Sequence, residues 1–192
     1  MENGLKGIRK DAFQAGVILG VVLLLLDIIE FYILGHSASV SLIFLSHLFV
    51  NLIIPLIVAI VLIKRLRRKT GGYWNLRQAT SGIFIAFITA YILSAPGTFL
   101  FVKYINPSLI VEAKDNLVNV LSGFFDRINA EQDKVDDLLA NIELHFNAVA
   151  QGGFGAVISN LLSSIIILFV TALIFAAIFK REVPHETISQ NH

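Results

Sequence analysis

Apolar residues in this chain fall into four long runs, at residues 13–34, 40–63, 81–102 and 157–179. Each has about the twenty residues that an α-helix needs to cross the hydrocarbon core of a bilayer. The runs are apolar on all sides, which suits lipid or the interior of a large protein. At 192 residues the chain is too short to enclose four such helices itself.

The gaps between the runs differ. Residues 35–39 allow a tight turn, so the first two spans form a hairpin. Residues 103–156 form a long linker with its own periodicity. Ile110, Leu117, Leu121, Phe124, Phe125 and Ile128 recur at helical spacing, as do Val135, Leu138, Ile142, Phe146 and Val149. This predicts two amphipathic helices, 107–128 and 130–150. Asn106-Pro107 serves as cap and first helical residue, and Asn129 with Gln132 as a second capping box. A single helix of that length would project about 65 Å, whereas an antiparallel hairpin returns the chain to the membrane. Ser122-Gly123 is an alternative break, and Gly152, Gly153 and Gly155 make a flexible joint before the last span. The predicted fold is an all-α membrane protein: four transmembrane helices in a bundle, with an extracytoplasmic helical hairpin between the third and fourth. Residues 1–192 form a single integral membrane domain, with 103–156 as its insertion.

Charge orients it. Lys6, Arg9 and Lys10 precede the first run, Lys64, Arg65, Arg67, Arg68, Lys69 and Arg77 flank the second gap, and Lys180 and Arg181 follow the last run. The long linker is acidic. Short basic segments remain cytoplasmic and an even number of spans puts both termini on one side. Termini and second gap are therefore expected inside, the hairpin outside. A mean hydropathy of +0.76 agrees with a membrane protein. The first run continues through Asp27 and Glu30 with no small-x-small site at the usual distance, so it reads as a retained span. With no cysteine, disulfides and thiolate chemistry are excluded.

Within the spans, Gly16 and Gly20 form a small-xxx-small pair that admits a close neighbour. Pro96-Gly97 should bend the third span. Tyr73 and Trp74 read as anchors at the interface. The candidate chemistry is an intramembrane polar cluster: Asp27, Glu30, His47 and Asn51. An ionised carboxylate in mid-bilayer costs about 3 kcal/mol, so it needs a partner or a cavity. Counting outward from the tight turn puts Asp27 level with His47, with Glu30 one turn above and His36 as a further candidate. The cluster could relay protons, hold an ion, or simply fasten the first hairpin through hydrogen bonds. No catalytic motif, cofactor fingerprint or metal-ligand spacing is recognised, which weighs against an enzyme. Ser159, Asn160, Ser163 and Ser164 read as interhelical hydrogen-bonding groups, and His145 as solvated. The KRLRRK run beside a span is a topogenic and lipid-binding signal rather than a nucleic-acid site.

Asn75-Leu76-Arg77-Gln78-Ala79 leading through Gly82 into the third span resembles a bacterial family, domain of unknown function 4199. So do Tyr104-Ile105-Asn106-Pro107 at that span's outer end and the closing Phe179-Lys180-Arg181. The resemblance spans about residues 8–182 and implies a small inner-membrane protein of the cell envelope, with no catalytic residues to transfer. The leading expectation is a non-catalytic accessory or scaffold subunit. It contacts the lipid bilayer, meets a protein partner through the hairpin 107–150, or self-associates as a homo-oligomer. The alternatives are a proton-coupled transporter or channel using Asp27, Glu30 and His47, and a membrane enzyme acting on lipid-linked intermediates. The hairpin's apolar stripes either pack on each other and on the span ends or receive a lipid or partner.

Overall fold

A computed structural model describes residues 2–181, so Met1 and 182–192 of the expected single domain lie outside the described residues. The chain forms α1 (Glu2–His36), α2 (Val40–Lys69), α3 (Leu76–Ile105), α4 (Ser108–Arg127), α5 (Gln132–Gln151) and α6 (Phe154–Phe179). No strand occurs among the described residues. Helices α1, α2, α3 and α6 are long and apolar enough to cross a membrane.

Local chemistry sets the helix ends. The side-chain oxygen of Asn75 accepts from the Gln78 amide at 2.9 Å, and that of Gln78 accepts from the Asn75 amide at 3.1 Å. This reciprocal box satisfies two orphan donors at the start of α3. Gly71 and Gly72, at φ of 86° and 83°, carry the chain out of α2 through a conformation costly for other residues. A π-helical turn, Phe49–Ile53, interrupts α2 just before Pro55, which has no amide to give the Asn51 carbonyl. Pro96 lies inside α3, whose α-helical bonding continues to Leu100 before a second π-helical turn, Phe101–Ile105.

Helix α1 makes its most extensive contact with α3, α3 packs in turn on α6, and α2 lies mainly against α1. Gly16 and Gly20 face the α3 backbone. A methyl group on Gly16 would meet the Ala86 carbonyl oxygen at 2.5 Å, and one on Gly20 the Ala90 oxygen at 2.8 Å. Helix α6 approaches through Ala172 and Ala176, both fully buried. Phe169 and Phe175 meet Phe84 and Phe87 edge to face, at centroid separations of 5.6 and 5.4 Å. All four long helices share one packed layer at the basic end, including Ala12, Leu62, Leu66, Ile83 and Ala176. In the most apolar window of α6 just 11% of residues are buried, so lipid must cover most of that helix.

Trp74 differs from the expected interfacial anchor. It is 2% exposed, its indole donates to the Phe179 carbonyl at 2.9 Å, and its backbone pairs with Arg181 through bonds of 2.9 and 3.1 Å. An unpaired carbonyl at the end of α6 draws the indole inward. Tyr73 stays exposed beneath the Arg181 guanidinium, 5.4 Å from its ring centroid.

The linker folds as two helices that pack on each other, α4 and α5, with the turn at 128–131. Ser122-Gly123 does not break α4. The expected capping box at Asn129 and Gln132 is replaced. Asn129 takes a left-handed conformation (φ 50°) that ends α4, and Glu131 precedes α5 without a side-chain cap bond. Pro107 stands at the cap of α4 rather than inside it; the Asn106 amide donates to the Tyr32 hydroxyl at 3.2 Å, and its side-chain oxygen accepts from the Ser108 hydroxyl at 2.9 Å.

Candidate functional site

Helix α4 is fastened to the first hairpin. Asn116 donates to the Leu34 and Ser37 carbonyls at 2.7 and 2.8 Å, supplying the oxygens left unpaired where α1 ends. Leu109 and Ala113 are fully buried. Helix α5 is held differently. Its contacts are chiefly with α4, and Val135 is its one buried hydrophobic residue. Leu138, Ile142, Phe146 and Val149, the apolar stripe of α5, line a chamber rather than packed protein.

That chamber, about 730 Å³, lies between the hairpin and the ends of α1 and α2 next to their turn, with Phe31, Leu34, Phe44 and Leu121 in its wall. A second, of about 800 Å³, lies on the α6 side, walled by Phe99, Val102, Val111 and Val157. Asp27, Phe31, Thr98, Ile110, His145 and Val149 line both and mark the border between them. Each volume falls within the range of small-molecule sites, about 300–1,000 Å³.

The four sequence-identified residues divide into two sets. Glu30 accepts from His47 Nδ1 at 2.6 Å and, through its other oxygen, from the Asn51 amide. Both oxygens of Glu30 are therefore engaged, and the Asn51 amide also lies 3.1 Å from His47 Nδ1. Asp27 pairs with Thr98 of α3 instead, whose hydroxyl donates to Oδ2 at 2.8 Å. This departs from the expected Asp27–His47 level. Helix α1 runs through His36, which moves the centre of the turn to residue 38 and brings Glu30 within one residue of level with His47. Asp27, three residues earlier, is then turned towards α3. The His36 ring bonds to Tyr32 of its own helix rather than joining the cluster. His145 is exposed, as expected, and also borders both chambers from α5.

Lys103 also borders the α6-side chamber. Its ammonium donates to the Gly152 carbonyl at 3.0 Å and lies 5.3 Å from the Phe99 ring centroid. Ser164 donates to the Tyr91 hydroxyl at 3.0 Å, an interhelical bond of the expected kind, whereas Ser163 bonds within α6. Among the described residues no three His, Cys, Asp or Glu side chains converge on a point that could hold a metal ion. What the arrangement offers is two half-open, mainly apolar chambers with a carboxylate bordering both.

Four lipid-exposed apolar helices and a helical insertion define a multi-pass membrane protein. The chain belongs to the family described as "Protein of unknown function (DUF4199)", whose model matches residues 14–181. No curated protein and no solved structure matches it.

Proposed function

We propose that the chain is a non-catalytic accessory protein of a bacterial inner membrane that holds an amphiphile between its spans and an extracytoplasmic helical lid. The observation that carries this is the stripe of α5. Leu138, Ile142, Phe146 and Val149 have the spacing of a core face, and they face a chamber of about 730 Å³. Apolar surface of that extent is stable when covered, and lipid is the solute in surplus beside it. The basic flanks at 64–69 and 180–181 support the orientation, with termini cytoplasmic and hairpin outside.

The chambers lie at one end, while Ala15, Ile83, Ala86, Phe87 and Ala90 pack closely between them and the basic end. That packed layer favours a binding role over a proton path joining the two faces, the principal alternative for Asp27, Glu30 and His47.

Phe146→Asp is the test. Removing one buried aromatic contact costs about 1.5–3 kcal/mol, or about tenfold or more in affinity. Native mass spectrometry of protein purified in mild detergent should show co-purified phospholipid falling by that factor. The melting temperature should change little, because α5 contributes so few packed residues. Equal phospholipid retention by both proteins, or none by the parent, would refute the proposal.

A further inference from the structure

The border between the chambers carries a more specific inference, which rests on the amphiphile-binding proposal above. We infer that the ligand is a two-chain lipid whose headgroup carries a primary amine, with the ammonium seated on Asp27. The two chambers are similar in size and share six lining residues, so a ligand filling both needs two apolar arms joined near that border. Asp27 is on the border and lines both.

Charge bookkeeping around the border selects the headgroup. Glu30 is occupied by His47 and Asn51. Lys103 is turned to the Gly152 carbonyl and the Phe99 ring. Asp27 takes part in no ion pair among the described residues. Its Oδ2 accepts from Thr98, and its Oδ1 has no hydrogen-bond partner among them. No buried side-chain oxygen among the described residues lacks a partner, so Oδ1 is reached from open space. A carboxylate fixed by one neutral donor in mainly apolar surroundings is completed by a cation that brings its own N–H groups. A primary ammonium supplies both, and the lipid's chains supply the apolar match to Phe31, Ile110 and Val149.

The test loads delipidated protein with phosphatidylethanolamine, its N-acetylated derivative, or phosphatidylglycerol of the same chains, and reads retention by native mass spectrometry. The parent protein should keep phosphatidylethanolamine about tenfold over the other two, the value of one charge-assisted contact. Asp27→Asn still accepts from Thr98 and should bring the three lipids level. Lysophosphatidylethanolamine, with one chain, should be kept at least about tenfold less than the two-chain form. Equal retention of all two-chain lipids by the parent protein, or an unchanged preference in Asp27→Asn, overturns the amine assignment while leaving the amphiphile proposal standing. Equal retention of the one-chain form overturns the two-arm assignment. No retained phospholipid of any kind removes both proposals.

Discussion

Gly16→Val is expected to destabilise the protein by about 3 kcal/mol, the upper part of the range for overpacking a close interface. The added Cβ would lie 2.5 Å from the Ala86 carbonyl oxygen and 2.6 Å from Thr89 Cβ. Neither is the end of a flexible side chain, so α1 and α3 must move apart. Because that pair is the most extensive helix contact in the molecule, the strain reaches the whole packed layer. Gly123 supplies the contrast. It lies inside α4 with nothing within 4 Å of a built Cβ, so Gly123→Ala should stabilise by about 0.5–1 kcal/mol through helix propensity. Unfolding of the detergent-solubilised proteins by sodium dodecyl sulfate titration measures both. A Gly16→Val protein as stable as the parent would mean that α1 and α3 do not meet at this face.

The second large effect is at Trp74. Trp74→Ala should cost about 3–5 kcal/mol, as expected for deleting a large buried aromatic side chain. Its indole is 2% exposed, abuts the Gly82 position at 3.5 Å, and donates to the last turn of α6. Trp74→Phe keeps most of the packing and loses the hydrogen bond, about 1 kcal/mol. Arg67, which also donates to the Phe179 carbonyl at 3.4 Å, limits that loss. The same titration separates the two. A change below about 0.5 kcal/mol for Trp74→Ala would put the indole at the surface, as the sequence expectation had it.

The contrast at Trp74 shows what the chain's order of residues makes legible. The four spans were readable because lipid demands about twenty apolar residues, a requirement met locally along the chain. Gly16 and Gly20 were readable for a similar reason: side chains absent at i and i+4 describe a flat helix face before its partner is known. The same signal was present at Ala172 and Ala176 and was passed over, as was the Asn75–Gln78 box. Pro55 likewise marked the π-helical turn beside Asn51.

The partners of polar groups were harder to see, because they depend on how helix ends register in space. Counting from residue 37 paired Asp27 with His47. Two further residues of helix in α1, Gly35 and His36, moved that centre by one residue and brought Glu30 to His47. Asp27's actual partner, Thr98, lies on a third helix, where no counting rule from the first hairpin applies. Trp74 was misplaced for a related reason. Its amphipathic ring suits both wet and buried sites, and the choice is made by a distant group, the Phe179 carbonyl.

The account depends most on the chambers opening at the membrane face opposite the basic turn. The natural chain has no cysteine, so single substitutions give clean labels. Asp133→Cys near the start of α5 and Arg68→Cys at the end of α2 both lie at exposed positions. In intact spheroplasts a membrane-impermeant maleimide should modify Asp133→Cys at once and reach Arg68→Cys after lysis alone. Labelling of Arg68→Cys before lysis, with Asp133→Cys protected, would place the hairpin in the cytoplasm and contradict the account.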